Sequence, residues 1–448
     1  MNQLKHFPYK HVLVLGLAKS GMAAARLLIE QRKHVRINDR HVPEDSVIKQ
    51  LQSMGAELVF GSHPLSVLDG IEIIVKNPGI PYENPILEEA ERRKIPIITE
   101  VELAGLLADD AIIGITGSNG KTTTTTLLAH MLETDGQPMQ LAGNIGTAAS
   151  DAAQRLQSGE KLVLELSSFQ LLGTDTFKPK IAVLLNIYEA HLDYHKTFSH
   201  YKQAKCRIFR NQTSRDFLIY NADNAHVVRA VQHAKASLVP FSVHRRLTNG
   251  AWADQSSIYF KDEKIVDRRD IRLVGSHNLE NILAAMSAAK LNGVSNESIR
   301  HVLTTFTGIK HRLQFVAKVN DRLFYNDSKA TNILATEKAL ASFKQPVILL
   351  AGGLDRGNAF DELLPYLTHV KAMVLFGETK EKLKDLADKA GISQVKMAAN
   401  VTEAAQKAYA LSNPNDVILL SPACASWDQY DTFEQRGDMF VQAVHTLL

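Results

Sequence analysis

Short apolar runs and stretches of helical period take turns along nearly the whole chain. Residues 12–15 precede the helical pattern 22–31, residues 71–75 precede 85–93, and residues 112–116 precede 122–134. This alternation is the signature of βαβ units, in which parallel strands are covered by helices on both faces. Further strand-like runs fall at 161–166, 181–186, 217–220, 346–351, 372–376 and 417–420. The fold class is therefore α/β, and 448 residues at about 150 per domain suggest three such domains in series. Domain one is expected over 1–98, where Pro96 follows the helical 87–94, and domain two over 99–308, closing after helices at 278–291 and 295–306. Domain three takes 309–448. The stretch 236–274 has no helical period and is expected to form short antiparallel strands appended to the middle domain.

Composition narrows the function classes. Fifty-one Lys and Arg face 48 Asp and Glu, and a net charge of +3 spread over this length provides no broad field for nucleic acid. Phosphate binding must be local. The two cysteines, Cys206 and Cys424, form neither a disulfide framework nor a metal-ligand spacing, which points to a reducing compartment. The apolar run behind the amino terminus is too short for a signal peptide, and no later run reaches the roughly 20 residues of a membrane span. A cytoplasmic protein with no membrane partner is expected.

The strongest chemical signal is Ile112-Ile-Gly-Ile-Thr-Gly-Ser-Asn-Gly-Lys-Thr-Thr123, a strand running through a glycine-rich loop into a helix. Glycines let backbone N–H groups close around phosphate oxygens at a helix start whose dipole favours negative charge. Lys121 is expected to reach the β and γ phosphates, and Thr122 to offer its hydroxyl to Mg²⁺. The spacing departs from GxxxxGK[ST], because Ile115 stands where the first glycine would be. Gly16-Leu-Ala-Lys-Ser-Gly21, followed by Asp39, looks like a dinucleotide fingerprint with Ala18 in place of its second glycine. A nucleotide diphosphate at this helix start and a purely structural turn both remain open. Glu165 and His191 each follow an apolar strand on the edge where open α/β sheets bind ligands, which makes Glu165 a candidate Mg²⁺ ligand and His191 a second candidate. In the third domain, loops at 326–332, 352–357 and 421–427 crowd one rim suited to a small anionic substrate, with Lys329 and Arg356 as counter-charges.

Taken together these motifs resemble the Mur ligases of peptidoglycan synthesis. Thr116-Gly-Ser-Asn-Gly-Lys-Thr122 is similar to their phosphate loop. Leu141-Ala-Gly-Asn-Ile-Gly146, Glu165-Leu-Ser-Ser-Phe-Gln170, Asn186 to Asp193, Tyr201-Lys-Gln-Ala-Lys205, His277-Asn-Leu-Glu-Asn281, His311-Arg312 and Asn326 to Asn332 follow in family order. The segment Ser421-Pro-Ala-Cys-Ala-Ser-Trp-Asp-Gln-Tyr-Asp-Thr-Phe-Glu-Gln-Arg-Gly437 is closest to the members that add D-glutamate.

The resemblance implies a Rossmann-like domain for a UDP-sugar, a central P-loop ATPase domain, and a Rossmann-like domain that brings the amino acid and part of the ATP site. It implies ATP-dependent amide formation through an acyl phosphate, with UDP-N-acetylmuramoyl-L-alanine and D-glutamate as substrates, two Mg²⁺ ions, no nucleic acid and a monomer. ATP would be met by Gly117, Ser118, Asn119, Gly120, Lys121, Thr122, Thr123, Asn278, Asn281, Arg312, Asp327 and Lys329. Thr122 and Glu165 would hold one Mg²⁺, and His191 a second beside Lys205, whose counterpart in the family is carbamylated. Taken alone, the sequence makes Lys205 a surface lysine. Lys121, His191 and Lys205 would carry catalysis. The sugar-nucleotide substrate would meet Lys19, Ser20, Asp39, Asn77, Gly79, Asn144, Ser167 and Gln170. D-Glutamate would meet Thr331, Arg356, Ser426, Trp427 and Phe433, although other members have lysine where Arg356 stands. A sister ligase, a folylpolyglutamate synthase-like enzyme and a P-loop regulator are the competing readings.

Overall fold

The structure, a computed structural model, describes residues 3–4, 6–273 and 275–447. Strands β1 (His11–Leu15), β2 (His34–Asp39), β3 (Glu57–Phe60), β4 (Ile73–Lys76) and β5 (Ile97–Thr99) form a parallel sheet in the order β3-β2-β1-β4-β5. The order reverses at β1, so the crevice between the ends of β1 and β4 is the natural ligand position.

A nine-stranded sheet follows. It contains β6 (Ile112–Thr116), β7 (Met139–Gly143), β8 (Lys161–Glu165), β9 (Ile181–Leu184), β10 (Phe217–Asn221), β11 (Ser237–Ser242), β12 (Ala251–Ala253), β13 (Ser257–Phe260) and β14 (Glu263–Asp267). Their order is β14-β13-β12-β11-β10-β9-β6-β8-β7. The expectation of antiparallel strands over 236–274 needs correction. β11 pairs parallel with both β10 and β12, and only β12–β13 and β13–β14 run antiparallel. The helix Ala225–Val231 returns the chain for the parallel β10–β11 pair and residues 243–250 return it for β11–β12, so only the short turns after β12 and β13 reverse the direction. Val274 lies outside the described residues.

The third sheet holds β15 (Gln314–Val319), β16 (Arg322–Asn326), β17 (Val347–Gly352), β18 (Val370–Phe376), β19 (Gln394–Met397) and β20 (Val417–Leu420). Its order is β15-β16-β20-β17-β18-β19, parallel except for the β15–β16 hairpin.

The central strands are buried on both faces, as parallel sheets under two helix layers must be: Val12 to Leu15 and Val417 to Leu420 are all 0 % exposed. One apolar core joins Val14 and Leu27 of the first sheet's layer to Leu103, Ala152 and Leu164 of the second. The chain accordingly separates into two compact units, Met1–Asp270 with His277–Val302, and Ile271–Ser276 with Leu303–Leu448. Within the second unit, apolar clusters cover each face of the third sheet. Among the described residues no helix is long and apolar enough to cross a membrane.

Candidate active site

The loop after β6 is built for close approach. Gly120 has φ +82°, and a Cβ there would lie 2.1 Å from Asn281 Oδ1. The helix Lys121–Thr134 begins on this glycine with no side-chain cap, leaving its first N–H groups to a ligand. Its run of threonines is a poor helix former. Tertiary burial overrides the propensity: Thr124 and Thr125 are 0 % exposed, and the Thr125 hydroxyl donates to Lys121 O at 2.8 Å. Asn186 braces the loop, its Oδ1 accepting from Asn119 N–H at 2.8 Å and its O from Ser118 N–H at 3.0 Å. Tyr201 Oη donates to Ser118 Oγ at 2.9 Å. Asn278 and Asn281 are buried together, with Asn281 Nδ2 donating to Asn278 Oδ1 at 3.1 Å. The structure thus brings Gly117 through Thr123, Asn278 and Asn281 to one place.

Two lysines converge on the same loop carbonyl. Lys121 Nζ donates to Gly117 O at 2.9 Å, and Lys205 Nζ donates to it at 2.8 Å. Lys205 is not a surface lysine. Only 1 % of it is exposed, because the helix Phe198–Cys206 turns this face under the loop. Burial, and then the positive charge of Lys121, hold its amine well below the usual lysine range. His191 has φ +55° and its ring meets Phe169 edge-on at 5.0 Å. Burial, followed by the charge of Lys205, lowers its pKa.

Glu165 ends β8 beside this loop, 1 % exposed. Its Oε1 accepts from Asn144 Nδ2 at 2.7 Å, and its Oε2 has no hydrogen-bond partner. A buried carboxyl oxygen left without a partner costs about 1–3 kcal/mol or more, so the position fits a cation. Ser167 and Gln170 are committed to each other in a capping box at the start of the helix Ser168–Leu172. Among the described residues no three His, Cys, Asp or Glu side chains come together as a ready-made metal cluster.

At the switch point of the first sheet lies a cavity of about 610 Å³ lined by Gly16, Ala18, Asp39, Asn77, Gly79 and others. Asp39 accepts from Leu17 N–H at 2.6 Å and from His41 N–H at 2.8 Å, and Asn77 Nδ2 donates to Ser20 Oγ at 3.2 Å. Lys19 Nζ reaches across to Gly146 O.

In the second unit Asp327 accepts from Leu313 N–H at 3.1 Å and from Ser421 Oγ at 2.9 Å, and burial pushes its carboxyl up to about 7, opposed in part by these two bonds and then by the charge of Arg312. Lys329 Nζ sits 5.1 Å over the Phe433 ring, and the Arg356 guanidinium 5.0 Å over the exposed Trp427. Thr331 follows Lys329, its N–H donating to Lys329 O at 2.8 Å. Ser426 is 2 % exposed with a hydroxyl that has no partner. Sequence reasoning passed over Arg436, which is fully buried in the helix Phe433–His445. Its guanidinium donates to Ser328 Oγ at 3.0 Å, Ser328 O at 2.9 Å, Cys424 O at 3.1 Å and Gly352 O at 3.4 Å. One side chain therefore ties together all three rim loops. The only sequence signal was a charge inside the Phe-Glu-Gln-Arg-Gly segment.

Three family models match this chain in order: the Mur ligase MurD-like N-terminal domain over 10–99, the Mur ligase middle domain over 115–289, and the Mur ligase glutamate ligase domain over 311–424. The chain belongs to the Mur ligase family. It is 60% identical over 448 residues to the UDP-N-acetylmuramoylalanine–D-glutamate ligase of Oceanobacillus iheyensis, covering 100% of both chains. It is 55% identical over 441 residues to the protein of the same name from Bacillus subtilis, covering 98% of each. Solved Mur ligase structures share the fold. MurF from Acinetobacter baumannii matches with TM-score 0.59 and 16% identity, over 96% of this chain and 93% of that one. The UDP-N-acetylmuramate-alanine ligase from Thermotoga maritima matches with TM-score 0.56 and 18% identity, over 97% and 99%. In this chain the glycine loop, the half-satisfied carboxyl of Glu165 and the buried Lys205 stand together beside β6.

Proposed function

We infer that this Mur ligase joins D-glutamate to UDP-N-acetylmuramoyl-L-alanine at the expense of ATP. The observation that carries the reading is full-length identity of 60% to a protein bearing that activity in its name. The geometry supports it with three polar sites at the carboxyl ends of three sheets. A carboxylate of the sugar nucleotide attacks the γ-phosphorus of ATP, the bond to the bridging oxygen breaks, and ADP leaves an acyl phosphate. The D-glutamate amine then adds to the acyl carbon, and phosphate departs from the tetrahedral intermediate as the amide forms.

The first domain, 1–98, takes the UDP moiety in its cavity through Lys19, Ser20, Asp39, Asn77 and Gly79. The second, 99–308, cradles the phosphates with the loop and Lys121, and Asn144, Ser167 and Gln170 face the sugar nucleotide. The third, 309–448, supplies Arg312, Asp327 and Lys329 to ATP. In that domain Thr331, Arg356, Ser426, Trp427 and Phe433 receive D-glutamate, the unpartnered Ser426 hydroxyl being free to bond its carboxylate.

Glu165 Oε2 and Thr122 would hold one Mg²⁺, and His191 with a carbamylated Lys205 a second. Bound there, Mg²⁺ supplies charge neutralisation on the transferring phosphoryl group. Lys205 is suited to carbamylation because its burial and the nearby Lys121 favour the neutral amine that attacks CO₂. The enzyme works as a monomer in the cytoplasm on this reading.

Phosphate release measured with D-glutamate, L-glutamate and L-lysine, each with and without the UDP-sugar, tests the reading. Release that needs both D-glutamate and the UDP-sugar is expected. Equal turnover with L-lysine would make this a sister ligase, and release without a UDP-sugar would remove the assignment altogether.

A further inference from the structure

Lys76 closes β4 and is 1 % exposed, yet among the described residues no carboxylate pairs with it. Its Nζ is instead surrounded by oxygens of the loop that follows it, donating to Ile80 O at 2.8 Å and to Asn77 O and Pro78 O at 3.2 Å. Tyr194 Oη, on the helix Leu192–His195, lies at 3.1 Å and shares the three ammonium hydrogens with those carbonyls. The single Tyr194 hydroxyl hydrogen is shared between Ile80 O at 3.1 Å and Pro78 O at 3.2 Å. The rings of Tyr82 and Tyr194 flank the amine, with centroids 4.8 and 5.8 Å from Nζ. Burial lowers its pKa to about 7.

A buried amine without a counter-ion is expensive and persists only where its hydrogen bonds are satisfied. Here it satisfies the inward carbonyls of a loop that belongs to no sheet or helix. The outward side of that same loop presents Asn77, Gly79 and Ile80 to the 610 Å³ cavity. Tyr194 stands two positions from the start of its helix, whose N-cap is His191. The Phe169 ring joins them, 4.6 Å from the Tyr194 centroid and 5.0 Å from that of His191. The ion pair of Glu83 with Lys196 spans the same two segments at 3.1 Å, but both side chains are more than half exposed and it adds little.

We propose that Lys76 is a positioning residue that clamps the cavity loop Asn77–Ile80 to the His191 segment, so that one buried amine sets the placement of both the sugar nucleotide and the imidazole. The proposal rests on the assignment of the cavity to the UDP moiety. Lys76→Met removes the donors and keeps most of the apolar stem, so the loop loses its inner support. Tyr194→Phe removes only the link, since the loop keeps its three bonds to Lys76.

The test is UDP titration by calorimetry, together with the NMR signal of the His191 ring, assigned by its loss in His191→Gln. In the wild type, UDP binds and shifts the His191 signal. Lys76→Met weakens UDP about tenfold, the scale of one charge-assisted hydrogen bond lost, and reduces the shift without abolishing it, because Tyr194 Oη still reaches Pro78 O and Ile80 O. Tyr194→Phe binds UDP nearly as the wild type does, loses the shift and lowers kcat with little change in KM for the UDP-sugar. The double variant is no weaker than Lys76→Met. Unaltered UDP affinity in Lys76→Met, or a retained His191 shift in Tyr194→Phe, overturns the clamp. If Lys76→Met fails to fold, the Tyr194→Phe measurement alone decides. A wild type that binds UDP without a His191 shift defeats the clamp and spares the cavity assignment, whereas a wild type that does not bind UDP defeats both.

Discussion

Lys121 and Lys205 share an acceptor, Gly117 O, and differ in what surrounds them. Lys121 opens a helix and was legible in the sequence from its loop alone. Lys205 was not, because a lysine near the end of a short polar helix carries no pattern that distinguishes burial from exposure. Only the family resemblance singled it out, and the reason is physical: its burial comes from the loop folding over it. Lys121→Ala should reduce phosphoryl transfer by about 100-fold or more, the size of one lost electrostatic stabiliser, with the circular dichroism unchanged. Turnover near that of the wild type would make the loop merely structural. Lys205→Ala should lose activity on a similar scale. Added acetate should restore part of it by supplying oxygen ligands in the narrow space beside the Tyr201 ring, which lies 4.7 Å from Nζ. Bulkier acids should restore less. A Lys205→Ala enzyme of normal turnover, or a bare amine by mass in the active wild type, would end the carbamate assignment.

At the scale of elements, the strands and the phosphate loop were readable because buried parallel strands are short apolar runs between helical patterns. Residues 236–274 misled because short strands of either direction look alike in sequence. Arg436 was unreadable for a different reason, since three of its four acceptors are backbone carbonyls of three separate loops and carbonyls leave no sequence signature. The helix Glu100–Ala108 carries a further such feature. Glu100, 2 % exposed, accepts from Ser150 N–H on the facing helix, and burial pushes its carboxyl up to about 7 from an ordinary 4.5. The unfolded chain gives up this proton first, so stability falls as pH rises from 4.5 through about 7 and the cost is fully present above that. The gap corresponds to about 3 kcal/mol. Glu100→Gln keeps an acceptor for Ser150 and never ionises. It should melt higher than the wild type at pH 8 and converge with it below pH 4.5. A wild type that melts higher at both pH values would refute the assignment of cost to this carboxyl.

For the whole molecule, what the sequence carried furthest was a direction: ligands at the carboxyl ends of the strands in each of three sheets. The grouping of the first two sheets into one compact unit was not legible, because it depends on side chains such as Lys76 with Tyr194 and Thr99 with Gln170 O that meet across long sequence distances. The proposed division of labour has a consequence that exchange of backbone amides can read. UDP occupying the cavity of the first unit should slow exchange at Leu17, His41 and Gly79, whose amides border that cavity and are held by Asp39 or Asn77. Gly79 is the most telling, since its side-chain acceptor, Asn77 Oδ1 at 3.1 Å, lies on an exposed turn. D-Glutamate should instead slow amides around Ser426 and Thr331 in the second unit, and leave Leu17 and Gly79 as they were. Each ligand binds only the native state, so the free energy of local protection should grow with the logarithm of its concentration above Kd, and the protection itself by about tenfold for each tenfold excess. A UDP footprint on the loops at 421–427, or a D-glutamate footprint at Gly79, would mean that the substrates are exchanged between the sites assigned to them. The domain roles would then have to be redrawn.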